Sequence, residues 1–143
     1  LRGMQSGEDI QETWAQLTVQ ARLPLDLPPE AWYARLDELA SAAGCIMEPS
    51  GFAIPAYGCE KNTPLVRALL SGIRAAGGAP SFVYKTGTAD LNIVAPVWGC
   101  PAVVYGPGDS ALDHTPDEHI TIEDYSQAVK ALSAALRTLI AGG

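Results

Sequence analysis

Residues with the types needed for chemistry concentrate between Lys85 and Ile120 of this 143-residue chain. Both histidines, His114 and His119, lie there, in the run Asp113-His114-Thr115-Pro116-Asp117-Glu118-His119. A histidine flanked by carboxylates suits a metal ligand, a general base or a surface residue of an acidic loop, and the residue types leave all three open. Upstream lies Thr86-Gly87-Thr88-Ala89-Asp90, where a glycine allows close backbone approach to a ligand. The helix that follows would offer unpaired N–H groups to an anion such as a carboxylate. An ordinary strand-to-helix turn fits the same residues. Between the two runs is Gly106-Pro107-Gly108-Asp109-Ser110, which lacks the third glycine and the lysine of phosphate-binding loops. Ser110, His114 and Asp109 contain the residue types of a nucleophilic triad, but no nucleophile elbow holds the serine. Arg22 suits bidentate carboxylate binding or, equally, an exposed sheet position.

The elements that must position these residues follow from periodicity. Ala15, Leu17, Val19 and Ala21 alternate with Gln16, Thr18, Gln20 and Arg22, which predicts a half-buried strand ending at Pro24. Residues 1–12 read as a ragged, polar start. Pro28-Pro29-Glu30 opens a helix whose apolar stripe is Trp32, Leu36, Leu39, Ala40 and Ala43, with Gly44 as its stop. Residues 45–57 read as strand-rich. Asn62-Thr63-Pro64 is a helix start, and Leu65, Val66, Leu69, Leu70 and Ile73 form the stripe of that helix. Strands are expected over 81–85 and, buried on both faces, over 101–105. A helix over about 89–97 separates them. Thr121 caps a last helix whose expected core face is Tyr125, Ala128, Leu132, Ala135, Leu136 and Leu139. The order α-β-α-β-α over 62–141 is that of a doubly wound parallel sheet, in which ligands bind beyond the carboxyl ends of the strands. A change of pattern near residue 60 divides the chain into 1–60 and 61–143.

Composition sets the outer bounds. The formal net charge of −7 argues against a nucleic-acid partner. No apolar run approaches the roughly 20 residues that span a bilayer, and no secretory signal is visible, so a cytoplasmic protein without a membrane partner is expected. Three widely spaced cysteines, Cys45, Cys59 and Cys100, match no metal-binding spacing and read as reduced, mostly buried thiols. The first residue is Leu1 rather than methionine, which raises the expectation of a preceding segment.

With these residues laid out, the second half resembles the C-terminal part of the aminoacylase/carboxypeptidase-type zinc metallopeptidases, the family of acetylornithine deacetylase and succinyl-diaminopimelate desuccinylase. The resemblance rests on Lys85-Thr86-Gly87-Thr88-Ala89-Asp90-Leu91-Asn92, Tyr105-Gly106-Pro107-Gly108-Asp109 and His114-Thr115-Pro116-Asp117-Glu118-His119. It is strongest toward hydrolases of acetyl-lysine or carrier-protein-linked lysine in lysine and arginine biosynthesis. It implies that His114 is the C-terminal zinc ligand and that Gly87 and Thr88 form a turn contacting the substrate. It also implies that Arg22 is the lid-domain arginine holding a substrate carboxylate. Residues 1–60 would then be part of a lid that mediates homodimerisation, and 61–143 the last part of the catalytic domain. The substrate would be a small N-acylated amino acid, with zinc or cobalt as cofactor of the complete enzyme.

The departures carry equal weight. Ala89 stands where the family has serine, and Gln20 where it has aspartate. The family's His-x-Asp ligand pair, bridging aspartate, paired glutamates and lid histidine have no counterpart here, since no histidine precedes His114. The resemblance therefore implies no catalytic base in this chain, no metal bound by this chain alone, and an inactive C-terminal portion. A non-catalytic dimerisation or small-anion-binding module is the alternative.

Overall fold

Glycines normally weaken a strand, yet Gly3 and Gly7 belong to one. The structure, a computed structural model, describes residues 1–142. In it β1 (Gly3–Glu8) pairs antiparallel with β2 (Thr13–Thr18), in a register that sets Gly7 opposite Trp14. The indole lies over that glycine: a Cβ on Gly7 would meet Trp14 Cζ2 at 2.8 Å. The ring supplies the packing that glycine lacks, so the ragged start expected for residues 1–12 is corrected to a paired strand. The Asp9 carboxylate closes the turn by accepting from the Gln11 and Glu12 N–H groups at 2.9 and 2.8 Å. Two other expectations for this stretch fail. β2 stops at Thr18, leaving Arg22 beyond it, and it is exposed along its whole length rather than half-buried. A lone two-stranded ribbon has no covering layer to bury one face.

Helix α1 (Pro29–Ala42) begins with proline in its first turn and ends just before Gly44, in the left-handed region at φ 71°. Of its residues only Pro29 is buried. Residues Leu1–Ala56 form one unit and Tyr57–Gly143 another.

The second unit contains α2 (Pro64–Ala75), α3 (Leu91–Trp98) and α4 (Ile122–Ala141). Thr63 is buried and accepts from the Val66 N–H at 3.2 Å, satisfying one of the orphan donors at the start of α2. Thr121 does the same for Asp124 at the start of α4, at 3.0 Å. Both caps are where the sequence places them. The expectation for the face that α4 buries is met in part: Ala128 and Ala135 are buried and Leu139 packs on the core as expected, but Ala131 joins them in place of the larger residues. Its buried residues are Ala128, Ala131 and Ala135, whereas Tyr125 and Leu136 remain about 60% exposed. The reason is the closeness of α2: a Cβ on Gly72 would lie 2.3 Å from the Ala131 carbonyl oxygen. Helices that near admit only small side chains between them, so the seam runs along the alanines and the larger residues turn aside.

Among the described residues the only sheet is the β1–β2 hairpin. The strands expected over 45–57, 81–85 and 101–105 join no ladder, which corrects those three expectations. Residues 101–105 still alternate: Val103 and Tyr105 pack against the core of Ala68, Leu69 and Ala135, while Val104 between them is 63% exposed. The side-chain pattern of a strand is present without neighbouring strands to pair with. Among the described residues what stands is a mixed α/β chain of four helices and one two-stranded sheet. No described helix is long and apolar enough to cross a membrane.

Candidate functional site

The turn at 86–88 follows the irregular stretch 81–85 and leads into α3, and Gly87 and Thr88 are both exposed. The Asn92 side chain accepts from the Ala89 N–H at 3.0 Å, closing the turn onto the first residues of the helix. Asp90 is the N-cap by position but makes no capping hydrogen bond with its side chain.

The loop 106–120 is a succession of tight turns. Leu112 N–H donates to the Asp109 carbonyl and Thr115 N–H to the Leu112 carbonyl, each at 3.0 Å. The Thr115 hydroxyl also donates to the Leu112 carbonyl, at 2.8 Å. The Asp109 carboxylate accepts from the Ala111 N–H at 2.9 Å, a turn contact rather than a triad contact with His114. His114 adopts φ 63°, and it is the one non-glycine residue at positive φ among the described residues. That conformation costs an L-residue about 1–2 kcal/mol and persists where surroundings impose it. Here its N–H donates to Glu118 Oε2 at 2.9 Å, and on its other side the Asp113 carboxylate pairs with Lys85 Nζ.

His119 is held differently. Its Nδ1 lies 2.7 Å from the Asp117 carbonyl oxygen. A carbonyl only accepts, so Nδ1 carries the proton and Nε2 keeps its lone pair in the neutral ring. A cleft of about 360 Å³ is lined by His119 together with Asp109, Asp113 and Glu118; His114 is not among its lining residues. The Lys85–Asp113 pair joins residues adjacent to the two predicted motifs, the 86–88 turn and His114. Arg22 belongs to the first unit, where it is exposed.

Sequence reasoning passed over the parts played by Lys85, Asp113 and Glu118. No spacing rule links residues 28 positions apart. The available signal was a lysine at the end of an apolar run, in a chain whose later loop is rich in carboxylates. The cysteines expected to be mostly buried are not: Cys45 and Cys100 are exposed and Cys59 is half-buried, and burial pushes the Cys59 thiol above its usual range.

A catalytic zinc needs about three protein ligands. Among the described residues no group of three or more His, Cys, Asp or Glu side chains is placed to hold a metal ion, so such a centre does not fit these residues by themselves.

Residues 15–138 match the family model for Peptidase family M20/M25/M40. The chain belongs to that family. Among its relatives is a [LysW]-lysine hydrolase of Deinococcus radiodurans, 41% identical over 138 residues, which are 96% of this chain and 37% of that protein. A putative [LysW]-lysine/[LysW]-ornithine hydrolase of Pyrococcus horikoshii is 49% identical over 89 residues, covering 62% of this chain and 27% of that one. A [LysW]-lysine/[LysW]-ornithine hydrolase of Sulfurisphaera tokodaii is 36% identical over 80 residues, 56% of this chain and 23% of that protein. This M20-family chain thus spans little more than a third of the length of the first relative and less of the others.

Proposed function

We propose that this chain is the C-terminal portion of a metal-dependent M20 hydrolase that releases lysine or ornithine from a [LysW]-linked amine. The observation that carries the reading is 41% identity across 96% of the chain to a [LysW]-lysine hydrolase. Of the substrates expected from the sequence, acetyl-lysine and acetylornithine give way and the carrier-linked amino acid is kept, because the relatives' names specify [LysW]-lysine and [LysW]-ornithine.

In this reading His114 is one ligand of a zinc or cobalt centre whose other ligands lie outside these residues. Gly87 and Thr88 contact the substrate, and Arg22 holds its carboxylate. Residues 1–60 form part of a lid used in homodimerisation, and 61–143 close a doubly wound catalytic domain in a cytoplasmic enzyme. The alternation at 101–105 supports a strand whose partners are supplied by the rest of that domain.

The test is release of free amino acid from [LysW]-lysine and from acetyl-lysine, by this chain and by a complete protein of the relatives' length. The complete protein is expected to prefer [LysW]-lysine and to lose activity on metal removal, while this chain alone turns over neither substrate. In the complete protein His114→Ala is expected to abolish turnover, whereas His119→Ala costs little. Turnover by this chain alone, or a preference for acetyl-lysine, refutes the reading. Equal effects of the two substitutions would move the ligand assignment away from His114.

A further inference from the structure

We propose that Lys85 is a positioning residue: through its pair with Asp113 it holds the 106–120 loop to the 86–88 turn, so that His114 and the turn keep one fixed spacing. The inference rests on the hydrolase reading for its functional consequence and on the geometry for everything else. Lys85 lies two residues before Gly87, and Asp113 is next to His114. The contact spans 28 positions in sequence, so it ties together segments that the chain would otherwise leave independent.

The conformation of His114 gives the pair a purpose. An exposed residue at φ 63° has no surrounding core to impose it. It needs pins on either side, and those present are the Glu118 carboxylate on its N–H and Lys85 on the preceding carboxylate. A lysine at this point also offsets repulsion among Asp109, Asp113 and Glu118, which share one cleft. The alternative is a pair that simply adds stability. The side chains are 52% and 41% exposed, and exposed pairs contribute little to unfolding free energy because water screens them and long side chains lose freedom. The consequence of losing Lys85 is therefore local displacement rather than unfolding.

With two histidines in the chain, imidazole Cε1–H resonances report this directly. His119→Gln assigns them. At fixed pH, Lys85→Gln and Asp113→Asn are each expected to shift or broaden the His114 signal and the Gly87 and Thr88 amide signals. The Thr13–Thr18 amides and the unfolding midpoint should stay in place. Lys85→Arg and the exchanged pair Lys85→Asp/Asp113→Lys are expected to return the signals toward their original positions. In the complete protein, Lys85→Gln should lower kcat roughly tenfold with KM little changed, as for a misplaced reacting group. Unmoved His114 and Thr88 signals overturn the proposal, as does failure of the exchanged pair to restore them. Global unfolding by Lys85→Gln also overturns it, since the pair would then be a stability element. If the resonances respond but the complete protein releases no lysine, the clamp stands and the hydrolase reading falls.

Discussion

The two units of this chain hold their structure by different means. In Leu1–Ala56 the hairpin and α1 rest on local hydrogen bonds, and Pro29 is the one buried residue. In the second unit α2 and α4 press together so closely that glycine and alanine line the contact, and the buried residues cluster there. Local bonding suffices to define elements, but a hairpin on its own is marginally stable in water. The difference teaches where substitutions should register. Packing changes should cost most at the α2–α4 contact, whereas in the first unit, with Pro29 alone buried, the changes that register should be those of turns.

Gly72→Ala is the sharpest way to break that contrast. The added methyl would meet the Ala131 carbonyl oxygen, which is backbone and cannot swing aside. Separating the helices should cost about 1–3 kcal/mol, as overpacking does. Thermal unfolding should show the loss, and amide signals of the Thr13–Thr18 strand should be unaffected. An unchanged midpoint would mean that the helix contact is looser than described.

That contact also marks the limit of what was legible beforehand. The caps at Thr63 and Thr121, the proline and glycine boundaries of α1 and the proline that opens α2 were readable because each depends on a few adjacent residues. The buried face of α4 was legible only in part. Periodicity finds Ala128 and Ala135 but also favours Tyr125, Leu132 and Leu136 because they are large and apolar, whereas approach distance selects Ala131 beside the other two alanines. The hairpin was missed because the pairing of Gly7 with Trp14 is a property of two strands and not of either alone. At the candidate site, motif residues such as Gly87, Thr88 and His114 stood out by type. The Lys85–Asp113 tether and the left-handed backbone of His114 are three-dimensional facts with no local signature.

A smaller effect should follow at the cap of α2. Thr63→Ala removes the acceptor for the Val66 N–H in a buried setting, and about 1 kcal/mol of stability should go with it. Thr63→Ser should keep most of that stability, since the hydroxyl is retained. Chemical denaturation of the three proteins side by side checks this. Equal losses in the alanine and serine variants would assign the effect to the methyl group and its packing.

His114→Gly should act in the opposite direction. Glycine adopts φ 63° without the steric penalty that histidine meets, so the folded state should gain up to about 1 kcal/mol. Denaturant midpoints would register the gain, while a complete hydrolase carrying the same change should be inactive. Stability gained where function is lost is the signature of strain kept for a purpose. A destabilised glycine variant would mean that the histidine ring contributes contacts outweighing its backbone cost.

The smallest expected effect belongs to the first unit and is one of pH. Backbone N–H groups of Gln11 and Glu12 hold the Asp9 carboxyl below the usual aspartate range. Its folded-state value is thus lower than its unfolded one, so the ionised form favours the hairpin. That contribution is complete above the unfolded value of about 3.9 and fades as pH falls through the folded value. Acidification should therefore loosen the Asp9–Glu12 turn, seen as faster amide exchange in β1 and β2. Asp9→Asn keeps an acceptor oxygen but cannot titrate, and should remove this local pH dependence. If the hairpin of the asparagine variant loosens with acid as the parent does, other carboxylates control it, and the turn is not held by Asp9.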